Sequence, residues 1–508
     1  MFSYGTTVKP MLFNSYSFLC FFPIVTLIYF VIPKKMRYIW LLIASYYFYM
    51  SWSPKYVLLL MASTIVTYFG GLVLGTDSIK TMGKHIKRLV FILCVVLNLS
   101  ILLFFKYANF AIETVDRLLS FVGADSGNVH LDILLPVGIS FYTFQALGYL
   151  IDVARGETQA EKSIVRYALF VSFFPQLIAG PIQRANSLLS QINTCSETKL
   201  WSLDRVCRGA IIMLWGYFQK LVIADRAGLF VDTVFASFHL YGSVELALAA
   251  ILFTIQIYCD FSGYSYIAIG AAKVLGFELA ENFKAPYFAA SIKEFWRRWH
   301  ISLSSWFKDY LYIPLGGSRC GKLKKYKNVM VTFLVSGLWH GASWSFVMWG
   351  AIHGVYQVIE DAVRPIREKT EKHFSIKKDC FSYKLGHIII TDILVGIAWI
   401  FFKMDSFMDA LRYIFRMLTR PDFWVLHDGS IFLHGLNQAQ MLVLVSAVLI
   451  LLAFDAVNYS KDQQIDEFLF GQNTWFRWLI IYILLFMVLA YGVYGPTYNA
   501  ASFIYFQF

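Results

Sequence analysis

The chain has 508 residues, of which 58% are hydrophobic, 18% aromatic and only 15% charged. That composition excludes an ordinary soluble domain. Apolar runs recurring from end to end predict an all-α polytopic membrane protein of about a dozen spanning or re-entrant helices. The formal net charge of +12 is concentrated at Lys34–Arg37, Lys80–Arg88, Arg319–Lys327 and Arg364–Lys378. Such clusters report topology rather than nucleic-acid binding; they place these loops in the cytoplasm and the N-terminus outside.

In chain order, span-length reasoning predicts simple spans at 15–32, 38–52, 55–75 and 89–106. The first has no small-residue cleavage site behind it and reads as a retained signal-anchor. An external loop is expected from Glu113 to His130, followed by spans near 133–151, 164–180, 208–234 and 241–280. Between Pro286 and Ser318 charges fall at helical spacing among aromatics, a density that predicts an interfacial or re-entrant segment. Spans resume at 329–360, 385–403, 439–456 and 475–494, with a charged cytoplasmic linker at Arg364–Asp379. No internal repeat argues for an inverted-repeat transporter.

Chemistry centres on histidine. His340 lies in Gly337-Leu338-Trp339-His340-Gly341-Ala342-Ser343-Trp344, within an otherwise apolar run. An ionisable side chain at membrane depth is a functional candidate by default, and imidazole exchanges a proton near neutral pH. A histidine hydrogen-bonded between packed helices is the structural alternative, and the stretch alone does not separate the two. Lys293, Trp296, Arg297, His300 and Ser304 fall on one helical stripe, so His300 is a second candidate; its alternative is an interfacial helix whose cations meet lipid headgroups. On a straight helix over 329–360, His353 would point about 220° away from His340 and face elsewhere unless Gly350 breaks the helix. Asp260, inside an apolar span, reads as a hydrogen-bond hub with Gln256 and Tyr264 one turn to either side.

The seven cysteines are scattered without a Cys-x-x-Cys pair and predict no disulfide framework, metal site or thiol nucleophile. No P-loop, Gly-x-Ser-x-Gly elbow or His-Glu-x-x-His motif is present. Acid–base chemistry by histidine inside a membrane remains.

Several long motifs carry a family resemblance. These are Pro136-Val137-Gly138-Ile139-Ser140-Phe141-Tyr142-Thr143-Phe144-Gln145, Ala179-Gly180-Pro181-Ile182-Gln183-Arg184 and Glu281-Asn282-Phe283-Lys284-Ala285-Pro286-Tyr287. Phe295-Trp296-Arg297-Arg298-Trp299-His300-Ile301-Ser302-Leu303-Ser304, Asp309-Tyr310-Leu311-Tyr312-Ile313-Pro314-Leu315-Gly316-Gly317 and the His340 motif complete the set. Together they resemble the membrane-bound O-acyltransferase family, specifically its bacterial branch of alginate-type O-acetylation proteins. One departure is Tyr266, which stands where many relatives carry an aspartate.

The resemblance implies about 11–13 transmembrane or re-entrant helices around a central tunnel, within one membrane domain over 1–508. That domain would comprise N-terminal helices (1–125), an acyltransferase core (126–365) and C-terminal helices (366–508). It implies that His340 is the essential histidine and His300 the second histidine of the site, with Asp260, Trp299, Trp339 and His353 as structural or tunnel residues. Acetyl-CoA would be the donor substrate, with no tightly bound cofactor and no metal; Arg297, Arg298, Lys308 and Arg319 would steer its phosphates. The acceptor would lie outside a bacterial plasma membrane, as an SGNH-type acetyltransferase or a polysaccharide. A D-alanyl transfer subunit of teichoic-acid modification and a non-catalytic polysaccharide export channel are the competing readings.

Overall fold

The computed structural model describes residues 11–75, 84–121, 123, 131, 135–178, 180–197, 201–494 and 504. Among them every regular element is helical. The chain divides into two compact units, one of Met1–Ala210 with Ile267–Ala280 and Ala500–Ser502, the other of Ile211–Tyr266, Glu281–Asn499 and Phe503–Phe508.

In the first unit, α1 (Tyr16–Val31), α2 (Arg37–Met50), α3 (Val57–Gly75) and α4 (Lys84–Phe121) follow the predicted spans. Ser15 caps α1 by accepting the Phe18 N–H at 3.2 Å. Helix α4 runs through Glu113, so the start of the predicted external loop is helical, while residues 124–130 lie outside the described part, as do residues 1–10 and 80–83. Next come α5 (Ile139–Arg155), α6 (Ile164–Ser172), α7 (Phe174–Leu177) and α8 (Ser190–Thr194). Pro175 enters at the first turn of α7 and divides the predicted 164–180 span. Gly138 begins α5 with φ of 74°, and a Cβ there would lie 2.5 Å from the Leu177 carbonyl oxygen. The Gln145 and Gln176 side chains both donate to the Phe170 carbonyl, so packing and hydrogen bonding close the helix breaks here.

Helices α9 (Leu203–Tyr217) and α10 (Asp225–Ala236) are joined by a π-helical stretch, Phe218–Ala224, and α11 (Ser243–Leu275) follows. In the second unit, α12 (Ile292–Arg298) and α13 (Ile301–Phe307) occupy the predicted interfacial segment. Then come α14 (Lys322–His340), α15 (Trp344–His373), α16 (Phe381–Lys403), α17 (Phe407–Thr419) and α18 (Val425–Asp428). The last are α19 (Gln438–Lys461), α20 (Ile465–Phe470) and α21 (Thr474–Tyr491). Seven helical stretches among the described residues are long and apolar enough to cross a membrane, among them Ser243–Leu275, Phe381–Lys403 and Gln438–Lys461. Large apolar side chains such as Leu449, Phe486 and Leu489 stand exposed, as a lipid-facing surface requires.

The predicted 329–360 span is not one helix. The chain reverses over Gly341–Ser343, and α14 and α15 pack as an antiparallel hairpin. Its contact depends on glycine: a Cβ on Gly337 would sit 2.3 Å from the Phe346 carbonyl oxygen, and one on Gly350 2.3 Å from that of Phe333. At the end of the hairpin away from His340, Lys325 of α14 meets Asp361 of α15 at 2.6 Å. That hydrogen bond holds the Asp361 carboxyl below the usual carboxylate range. The clasp therefore contributes fully near neutral pH and is lost as pH falls through the lowered pKa.

Overpacking at such a contact costs roughly 1–3 kcal/mol. Gly350→Ala is thus expected to lower the thermal unfolding midpoint in detergent, whereas Gly386→Ala in α16, with nothing within 4 Å of the new methyl group, leaves it unchanged or raised.

Candidate active site

Helix α12 begins at Ser291, whose side chain accepts the Glu294 N–H at 3.1 Å. Glu294 in turn receives the Ala290 N–H at 3.0 Å and pairs with Arg298 at 2.9 Å. These caps set the short helix so that Trp296 points inward, where its Nε1–H donates to His353 Nδ1 at 3.3 Å. The predicted stripe from Lys293 to Ser304 is broken, because the chain leaves α12 at Trp299 and His300 adopts a left-handed conformation with φ of 44°. Such backbone is costly for a residue with a Cβ and persists only where its surroundings enforce it.

Asn282 supplies the enforcement. Its side-chain oxygen accepts the Ser302 N–H at 3.2 Å and the Ser302 hydroxyl at 2.7 Å, and lies 3.3 Å from His300 Nδ1. Its backbone carbonyl takes the Ile301 N–H at 3.0 Å. Since that amide oxygen can only accept, Nδ1 of neutral His300 carries the proton and Nε2 is the basic nitrogen.

His340 is the last residue of α14, at the tip of the hairpin. Gly341 follows without a Cβ, which would lie 2.1 Å from the Phe346 ring. The His340 ring is boxed by Trp339, Trp349 and Phe402 at centroid distances of 5.0, 4.9 and 5.5 Å, each near edge-on. The rings of His300 and His340 are 6.5 Å apart, and only 0% and 5% of their surfaces are exposed. Phe261 closes over His300 at 4.6 Å. The structure thus brings together the two histidines singled out from sequence, in a buried aromatic enclosure.

His353 lies one tryptophan away from His340, with Trp349 between them at 4.9 and 5.0 Å. It is wholly buried and holds Trp296. The hairpin, not a bend at Gly350, brings it near. Trp299 is packed among Phe295, Phe283 and Trp399, and Trp339 lies between the two histidines' surroundings, 6.0 Å from His300.

Asp260 is a hub, but with other partners than those expected. Lys220, on the π-helical stretch, reaches Asp260 at 2.5 Å and Asp225 at 2.8 Å, all three buried. The second Asp260 oxygen accepts the Ile504 backbone N–H at 2.8 Å. A lysine inside an apolar span was the sequence signal for this cluster.

Arg297 and Arg298 line a groove of about 550 Å³ with Lys284, Lys293, Glu294 and Asp462. Lys308 and Arg319 are exposed elsewhere and do not line it, whereas Lys284 and Lys293 take the places expected of them. Lys293 is fixed beside α15, where its backbone N–H donates to Glu360 at 3.3 Å. The groove therefore runs along α12 from Ser291 to Arg298, and its Arg297 and Arg298 end adjoins the turn that carries His300.

Residues 157–390 match the membrane-bound O-acyltransferase family. The chain is 38% identical to a probable alginate O-acetylase AlgI from Pseudomonas syringae pv. tomato, over 85% of this chain and 80% of that one. It is 33% identical to a peptidoglycan O-acetyltransferase of Helicobacter pylori, over 85% and 84%. The chain belongs to the membrane-bound O-acyltransferase family. It is accordingly a multi-pass membrane enzyme of the O-acyltransferase class. A teichoic acid D-alanyltransferase from Streptococcus thermophilus is more distant, 29% identical over 44% of this chain and 57% of that protein.

Removing a buried acceptor that serves several donors costs roughly 1–3 kcal/mol. Asn282→Ala should therefore lower thermal stability by about that amount and depress turnover far more than Ser302→Ala, which keeps the backbone bond to Asn282; thermal-shift and acyl-transfer assays on both variants check this.

Proposed function

We propose that this O-acyltransferase moves an acetyl group from cytoplasmic acetyl-CoA, across the bacterial plasma membrane, for O-acetylation of an extracytoplasmic polysaccharide through an SGNH-type partner. The observation that carries the reading is the buried His300–His340 pair, 6.5 Å between rings, beside a cation-lined groove that runs along α12. The names of the O-acetylating relatives support acetyl as the group and a polysaccharide as its destination.

In this mechanism His340 takes the proton of the acceptor hydroxyl as its oxygen attacks the thioester carbonyl. The tetrahedral intermediate collapses with cleavage of the carbon–sulfur bond, and the imidazolium returns the proton to the departing thiolate. A positioned general base contributes roughly 10²–10⁴-fold. His300, locked with its proton on Nδ1, presents Nε2 toward the reaction, where it orients the acceptor or shares its proton. The aromatic box keeps water from an activated acyl group that water would hydrolyse. Lys284, Lys293, Arg297 and Arg298, set against Glu294 and Asp462, give the cytoplasmic groove an excess of positive charge suited to the phosphates of CoA.

Acetyl tracing from labelled acetyl-CoA in membrane vesicles supplied with candidate partner proteins tests the reading. His340→Ala is expected to reduce transfer to background while the protein still folds, and retained transfer overturns the assignment. Paired Lys293→Gln and Arg297→Gln substitutions, both at exposed positions, should raise the KM for acetyl-CoA several-fold and leave kcat nearly unchanged.

A further inference from the structure

Trp349 and His353 stand one turn apart on α15 and so share a face of that helix. Each is followed by glycine. A Cβ on Gly350 would meet the Phe333 carbonyl oxygen at 2.3 Å, and one on Gly354 the Met330 sulfur at 2.8 Å. Helix α14 therefore packs tightly enough to fix this stretch of α15. The Trp349 and His353 rings are 5.0 Å apart, and the Trp349 ring is 4.9 Å from that of His340. Both side chains are wholly buried.

Their hydrogen bonding is incomplete. The Trp296 indole donates to His353 Nδ1 at 3.3 Å, so neutral His353 carries its proton on Nε2. That Nε2–H finds no acceptor among the described residues, and neither does the Trp349 Nε1–H. The rings packed on the two side chains include Phe295, Phe333 and Phe402, which offer no lone pair. A buried donor without an acceptor costs roughly 1–3 kcal/mol, a penalty that an apolar ring of similar shape avoids. Two such donors on one rigid face, beside a buried base, suit an oxygen on which negative charge develops.

We propose that the Trp349 and His353 N–H groups receive the carbonyl oxygen of the transferred acyl group and the negative charge that forms on it. The inference rests on the reading of His340 as the base in acyl transfer, and it supplies the electrophilic side of that reaction. As the acceptor oxygen bonds to the carbonyl carbon, its proton passes to His340. The carbonyl π pair moves onto the oxygen held by the two N–H groups. That pair then restores the double bond, the carbon–sulfur bond breaks, and the thiolate leaves with the proton from His340. Donors fixed before the reaction stabilise this charge without reorganising.

Two conservative substitutions test the assignment. Trp349→Phe removes one N–H and keeps an aromatic ring; His353→Asn removes the other and keeps an acceptor for Trp296. Each is expected to lower kcat for acyl transfer roughly 10²–10³-fold. The KM for acetyl-CoA should stay within about twofold, and the thermal midpoint should be unchanged or raised. A second readout needs no turnover: the infrared stretch of an isotope-labelled carbonyl in the ketone analogue of acetyl-CoA, which has a methylene group in place of sulfur. Bound to the full chain in detergent, that stretch should fall below its value in water for wild type and His340→Ala, and return toward it for Trp349→Phe. Wild-type kcat in both variants, a fall in kcat matched by a fall in the thermal midpoint, or a stretch unmoved by Trp349→Phe would overturn the inference. An unshifted stretch in wild type beside His340-dependent acetyl transfer sinks the donor pair alone. A shifted stretch without that transfer sinks the acetylation reading alone.

Discussion

A helix can be interrupted within a membrane only where other groups take up the hydrogen bonds it drops. Asn282 does this for the break at His300, through one side-chain oxygen and one backbone carbonyl. Without it the left-handed turn at His300 has nothing to oppose its cost, and α12 and α13 would straighten toward a single helix. Straightening would carry His300 away from His340 and away from the Arg297–Arg298 end of the groove. The site is thus a consequence of one amide that sits outside both histidine motifs.

The second constraint is steric. His340 stands at the tip of a hairpin whose two helices approach closely enough for Gly337 and Gly350 to meet backbone carbonyls. Trp349 and Phe402 then fall against the His340 ring, and the same hairpin brings His353 to the far side of Trp349. Close helix packing and aromatic enclosure are one arrangement here: larger residues at the glycines would spread the helices and open the box to water.

Much of this was legible in the chain. The spans follow from apolar run length, the irregular segment after Pro286 from charges among aromatics, and the histidines from their depth in apolar sequence. What escaped has physical reasons. The reversal at Gly341–Ser343 is invisible to hydropathy because both arms of the hairpin are equally apolar around it. Helix α17 is only 13 residues long, and its charges at every third or fourth position lower any averaging window. Helical spacing offers Asp260 partners one turn away on its own helix, yet Lys220 reaches it from 40 residues earlier, a pairing that only tertiary packing creates. Likewise the cations of the α12 groove come from separate segments, so Lys284 joins Arg297 while Lys308, nearer to Arg297 in sequence, does not.

The Asp260 cluster also has a bearing on how the chain is made. Lys220, Asp225 and Asp260 leave the ribosome within 40 residues of one another and can pair as soon as their helices insert. The Ile504 N–H that occupies the other Asp260 oxygen is synthesised 244 residues later. At about 5–20 residues per second that is an interval of roughly 12–50 s. For that time a buried carboxylate oxygen waits without the partner it has in the finished fold, so Ile504 acts as a late seal on an arrangement begun 244 residues earlier.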